Sequence, residues 1–175
     1  MMDGSDVNAD RLAVIAPSMI LGLMAQALEL KALGHPVIDL GIGEPEFKTP
    51  DHIKKAAYQA IKNDETRYTL VAGTPMLRTA IRNELKRDNN LDYPLDNITV
   101  SGGAKQVIFN AFMASLSQGD EVIVPSPNWP SYLDMVAIAD GTPVSVECPQ
   151  RDRFLLTPER LEAAITPSTR WLVMN

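Results

Sequence analysis

The chain has 175 residues, 45% of them hydrophobic, with one cysteine and a formal net charge of −6. That length and apolar content suit one domain with a buried core, and exclude disordered and collagen-like classes. The acidic balance, with Lys and Arg scattered along the chain, excludes the electrostatic footprint of a nucleic-acid binder or of a protein drawn to anionic membranes. The expected partner is a small molecule or another protein. Cys148 alone cannot close an intrachain disulfide, and no Cys/His group has metal-ligand spacing, so a reducing compartment and no metal are expected. Residues 1–10 carry three Asp and no basic residue, unlike a secretory or transit leader. The apolar stretch 20–33 is interrupted by Gln26, Glu29 and Lys31 and is too short and polar to span a bilayer. The expectation is a cytoplasmic protein.

In chain order, Ser18 can cap a helix whose apolar positions Ile20, Leu23, Met24, Ala27 and Leu28 recur at helical spacing, ending at Gly34. Residues 37–40 predict a short strand, broken by Gly41-Ile42-Gly43-Glu44-Pro45. Thr49-Pro50 predicts a cap and first-turn proline for a helix with Ile53, Ala56, Ala57, Ala60 and Ile61 on one side. A loop through Arg67, Tyr68 and Gly73 precedes a second amphipathic helix marked by Leu77, Ala80, Ile81 and Leu85, fading at Asp88-Asn89-Asn90. From there strand and helix alternate. Strands are predicted at 98–101, 121–124, 144–146 and 171–174, with helices carrying Val107 to Phe112, after Pro130, and opened by Thr157-Pro158. Such alternation with short connections is the pattern of a mostly parallel sheet covered by helices, an α/β fold in three layers. A last apolar strand at 171–174 wants flanking strands, so the chain reads as a fragment of a longer protein.

Ser101-Gly102-Gly103-Ala104-Lys105-Gln106 lies between a predicted strand and a predicted helix. Free amides and the positive dipole end of a helix hold a phosphate well, and glycine lets the backbone approach closely. The local sequence leaves an anion cradle and a plain tight turn both open. It is not a P-loop, because Lys105 is followed by Gln106 and the glycine spacing differs. Gly41-Ile42-Gly43 lacks the third glycine of a dinucleotide fingerprint, and Pro45 stands where a helix would have to open. Pro125-Ser126-Pro127-Asn128-Trp129-Pro130 follows an apolar strand, at the end where α/β sheets collect ligands. Trp129 there can stack on an aromatic ligand or pack into the core beside Tyr132. His35 and His52 have no Ser or Cys partner suited to a triad, and Glu44 and Glu46, alternating around Pro45, support a hydrolase only weakly.

In order and spacing, the motifs Gly-Ile-Gly-Glu-Pro-Glu-Phe, Thr-Arg-Tyr-Thr-Leu-Val-Ala-Gly-Thr-Pro, Gly-Gly-Ala-Lys-Gln, Gly-Asp-Glu-Val-Ile-Val-Pro-Ser-Pro-Asn-Trp and Ile-Thr-Pro-Ser-Thr-Arg cover the chain from about Ser18 to Asn175. Together they resemble the fold-type I, pyridoxal-phosphate-dependent aminotransferases, in particular the aspartate and aromatic branch of class I. The resemblance implies transamination between an amino acid and a 2-oxo acid with pyridoxal 5'-phosphate as cofactor. It implies an N-terminal arm and small-domain segment at 1–45, and the first part of the cofactor-binding large domain at 46–175. By the same resemblance Gly103, Ala104 and Lys105 hold the cofactor phosphate, and Trp129 stacks on the pyridine ring beside the substrate. Gly43 lies at the substrate carboxylate, and Tyr68 reaches a neighbouring subunit's phosphate, which implies a homodimer. Asn128 departs from the family, where tyrosine is frequent.

The lysine that binds the cofactor as a Schiff base in this family matches none of the seven lysines here, so no catalytic residue is expected in the chain and the chain alone is expected to be inactive. Two other classes stay open. A Rossmann-like nucleotide module would share the alternation but needs the missing glycine. An inactive aminotransferase-derived chain acting as an interaction or regulatory subunit would fit the same motifs.

Overall fold

The computed structural model describes residues 9–41 and 43–175. They divide into two compact units, Ala16–Ile98 and the described part of Met1–Ile15 with Thr99–Asn175.

The Ala16–Ile98 unit is helical. Helix α1 (Met19–Ala32) starts at Ser18, whose hydroxyl accepts from the Leu21 amide at 3.4 Å, and ends before Gly34 at φ +85°. The predicted strand at 37–40 does not form. Strand pairing is non-local, and here the backbone turns to local partners instead: Val37 N donates to His35 O at 3.0 Å, and Gly41 N donates to Asp39 Oδ1 at 3.0 Å. Ile38 and Leu40 stand 88% and 90% exposed as a result. The Gly41 amide and the Lys31 ammonium, 3.2 Å away, hold the Asp39 carboxyl below its usual range.

Helix α2 (Asp51–Lys62) begins one residue later than expected, because Pro50 takes the cap position and the Thr49 hydroxyl caps nothing. Helix α3 (Pro75–Asn89) is capped as its sequence suggests: Thr74 Oγ1 accepts from Leu77 N at 3.3 Å, proline fills the first turn, and Asn90 leaves in the left-handed region at φ 57°. Arg78, nearly buried, donates from Nε to Ile98 O at 3.0 Å and from its terminal nitrogen to Leu95 O, tying α3 to the 3-10 turn Leu95–Asn97. Residues 98–101 form no strand either. Ile98 is extended and buried, but its carbonyl is taken by Arg78 and no strand pairs with it.

The second unit is an α/β layer structure. Helix α4 (Ala104–Ser115) leads into strand β1 (Glu121–Ser126), helix α5 (Ser131–Ile138), strand β2 (Thr142–Glu147), helix α6 (Pro158–Ala164) and strand β3 (Thr169–Leu172). The sheet runs β2-β1-β3 and is parallel throughout, Glu121 to Ser126 registering with Thr142 to Glu147. Its centre, Val122-Ile123-Val124, is fully buried, the continuous apolar run of a parallel strand covered on both faces. Val122 and Val124 pack with Phe112 of α4 and Leu116 just after it, and with Met135 and Val136 of α5 and Ala139 just after it. Trp171 of β3 meets Phe112 edge-on, ring centroids 5.7 Å apart, and donates to Ser115 Oγ at 2.9 Å. These contacts clamp α4 and the carboxyl end of β1 in place, which is where the candidate site lies.

Candidate functional site

Two loops of the α/β unit build the site. The first is the approach to α4. Gly103 sits at φ +106°, ψ 161°, a conformation reserved for glycine. Its amide donates to Ser101 O at 2.8 Å, and the Gly102 amide donates to Gln106 Oε1 at 3.0 Å. The next three amides, of Ala104, Lys105 and Gln106, have no acceptor among the described residues, and Val107 N is the first to bond back, to Gly103 O at 3.3 Å. A twelve-residue helix thus presents free N–H groups and its positive dipole end to solvent at an exposed glycine turn. Such a donor set suits an oxyanion such as phosphate.

The second loop leaves the carboxyl end of β1 and carries Trp129, whose indole is 39% exposed. The Lys105 ammonium lies 5.6 Å from the centroid of that ring, a cation–π distance. A turn with free helix-start amides and a flat aromatic face, separated in sequence, are therefore neighbours in space. Behind Trp129, Tyr132 N donates to Trp129 O at 3.1 Å, and the Tyr132 hydroxyl donates to Asn175 Oδ1 at 2.8 Å. A recess of about 110 Å³ opens beside them, walled by Asn128, Tyr132, Asn175, Phe154 and Leu155 among others.

Of the residues expected from sequence, the structure brings together Gly103, Ala104, Lys105 and Trp129. Tyr68 and Gly43 belong to the helical unit. Tyr68 is fully exposed on the segment 66–69, and a Cβ placed on Gly43 would meet no atom within 4 Å; Ile42 lies outside the described residues. Sequence reasoning missed Gln106, whose side chain occupies the Gly102 amide, although its position four residues on along a helix start was a legible signal. It also missed the Tyr132 to Asn175 bond, which no local pattern announces.

The sequence profile of the class I and II aminotransferases matches residues 35–175. The chain belongs to the class I and II aminotransferase family. The aspartate/prephenate aminotransferase of Cereibacter sphaeroides is 50% identical over 95% of this chain and 42% of its own length. A crystal structure of the aspartate aminotransferase from Rhizobium meliloti, 54% identical, aligns with a TM-score of 0.89 over 94% of this chain and 41% of that one. The Thermus thermophilus aspartate aminotransferase solved with maleate, 42% identical, aligns at 0.91 over 95% of this chain and 44% of that one. The chain thus spans about two-fifths of the length of the relatives it matches. The family is one of pyridoxal-phosphate-dependent transferases, and its α/β fold is the one observed. Among the described residues, no helix is long and apolar enough to cross a membrane.

Proposed function

We propose that this chain is the cofactor-placing portion of an aminotransferase that moves an amino group from an aspartate or aromatic-type amino acid to a 2-oxo acid, using pyridoxal 5'-phosphate. The observation that carries the reading is the pairing of three free helix-start amides with the Trp129 indole through Lys105. The residues fit the cofactor: the amides of Ala104 and Lys105 and the dipole of α4 suit its phosphate, and the indole suits its planar ring. The cofactor, once bound, supplies the electron sink for the chemistry. The chain's own residues bind and orient. Gly103 lets the phosphate approach the backbone, the Lys105 ammonium neutralises part of its charge, and Trp129 covers one face of the ring and excludes water from it.

The same reading assigns Gly43 to the substrate carboxylate and Tyr68 to the phosphate of a partner subunit in a homodimer. Residues 1–45 then form the arm and small-domain segment, and 46–175 the first part of the large domain, in a cytoplasmic protein. Lys105 serves the phosphate turn, and the other six lysines lie outside it, so covalent attachment and proton transfer fall to residues this chain does not supply. The chain alone then binds the cofactor weakly and does not transaminate.

Equilibrium dialysis with pyridoxal phosphate tests the reading. Trp129→Ala is expected to weaken binding at least about fivefold, in line with a stacking contribution of roughly 1 kcal/mol. Equal affinity of the variant and the parent sinks the ring-stacking role, and amino-acid-dependent turnover by the chain above that of free cofactor sinks its inactivity. A second reading, an inactive chain that pairs with a complete aminotransferase, is favoured by the exposed Tyr68, Leu70 and Val71. Co-elution of the purified chain with an intact aminotransferase of its family would support it, and separate elution would discard it.

A further inference from the structure

Trp129 is the least anchored member of the proposed cofactor site. Its indole is partly exposed, and its ring nitrogen has no hydrogen-bond partner among the described residues. The loop that carries it begins where β1 ends, held there by Cys148 N donating to Ser126 O at 2.8 Å. It ends at Tyr132, in the first turn of α5. Between those points, from 127 to 132, one side-chain hydrogen bond is found among the described residues, that from the Tyr132 hydroxyl to Asn175 Oδ1 at 2.8 Å.

The two partners come from different parts of the unit. Tyr132 packs its ring against the core cluster of Phe112, Val124 and Val136, while Val173, two residues before Asn175, also touches that cluster and donates its amide to Ile123 O at 2.9 Å. The Tyr132 end of the bond is therefore seated on the core, and the Asn175 end follows two residues after an anchored backbone position. The Tyr132 backbone in turn donates to Trp129 O at 3.1 Å, so the position of Tyr132 is passed directly to the tryptophan three residues earlier.

We propose that the Tyr132 and Asn175 side chains form a latch that holds the Trp129 indole in the attitude needed to stack on a planar cofactor ring, so that both act as positioning residues. This deepens the cofactor-binding reading and rests on it. A neutral hydrogen bond of ordinary strength, lost from a partly exposed site, corresponds to a change in affinity of roughly three- to tenfold.

The chain has two tryptophans, so a Trp171→Phe background leaves Trp129 as the only indole reporter. In that background, acrylamide quenching without cofactor reads the freedom of the indole, and quenching by added pyridoxal phosphate reads affinity. Tyr132→Phe and Asn175→Leu are each expected to raise the acrylamide quenching constant and weaken cofactor binding three- to tenfold. The double variant should be no weaker than either single one, because both remove the same bond. Asn175→Asp, which keeps an acceptor for the hydroxyl, should hold near-parent affinity. Because Trp171→Phe removes the bond to Ser115 and can disturb folding, cofactor dialysis is repeated with Trp171 in place.

Unchanged affinity in Tyr132→Phe, with the parent binding normally, overturns the latch alone, and does so even if the variant melts lower, since that pattern marks a purely structural bond. Additive losses in the double variant, or unaltered acrylamide quenching, overturn it as well. Failure of the parent itself to bind pyridoxal phosphate overturns the function reading and the latch with it.

Discussion

Gly102 and Gly103 show how two adjacent glycines answer to different physics. A Cβ on Gly103 would meet open space, so within the chain the demand for glycine there comes from backbone conformation, at φ +106°, and not from crowding by protein atoms. A Cβ on Gly102 would lie 2.7 Å from Gln106 Oε1, the far end of a flexible side chain, with no positive φ to strain it. Gly103→Ala is therefore expected to destabilise the chain by about 1–3 kcal/mol and to weaken cofactor binding, because relief of the strain moves the free amides. Gly102→Ala should melt close to the parent, since Gln106 can swing aside. Thermal melts and dialysis of the two variants check the contrast, and equal losses at both positions would contradict it. At Lys105 the same scale of reasoning applies: its main-chain amide is one of the free helix-start amides while its ammonium reaches the Trp129 ring, so one residue joins the two parts of the proposed cofactor site.

Three of the six α-helices among the described residues start at a side-chain cap. Ser18, Thr74 and Thr157 each accept from the amide three residues on, at 3.4, 3.3 and 3.4 Å. Strand β1 is held at its amino end by a different device. Asp120, immediately before it, accepts from Arg170 Nε of β3 at 3.0 Å and from Ser117 N at 2.9 Å. The Arg170 guanidinium first, and the Ser117 amide second, hold the Asp120 carboxyl below the usual carboxylate range. A group depressed in the folded state stabilises above its unfolded value, near 3.9, and that contribution is lost as pH falls through the folded value. Denaturant titrations between about pH 5 and pH 2 should show stability declining on acidification, and Asp120→Asn should flatten the decline. Arg170 is well exposed, so added salt should shrink the difference between parent and variant. A variant with an unaltered acid limb would contradict the role given to this pair.

At the scale of the molecule, the α/β unit has a true core and the helical unit has little of one. The buried hydrophobic residues lie almost wholly in the α/β unit, from Phe112 to Cys148, with Ile98 the exception. In the helical unit, Leu21, Leu23 and Leu28 of α1 are each more than half exposed, and neither α1 nor α2 buries a residue completely. An apolar-binding dye such as anilinonaphthalene sulfonate should light up with the parent chain and lose much of that emission when these three leucines become glutamine. Emission indifferent to the substitution would show that these side chains are covered in solution.

What could be read from the amino-acid order was whatever depends on near neighbours. Helical periodicity places α1 to α4 because i, i+3 and i+4 positions share a face whatever lies beyond them, and proline start signals place α5 and α6. The apolar runs of β1 and β2 were equally legible, and that of β3 was too, although the strand lies at Thr169–Leu172, two residues before the expected 171–174. Similar runs at 37–40 and 98–101 found no ladder partner, since strand pairing is settled by distant chain. The glycine turn before α4 was legible as a turn ahead of a helix start, a local motif that by itself left an anion cradle and a plain tight turn both open. That Lys105 sits over Trp129, and that Tyr132 reaches Asn175, followed only from the stacking of α4 and α5 on one face of a parallel sheet, which brings together residues whose separation along the chain carries no signal of contact.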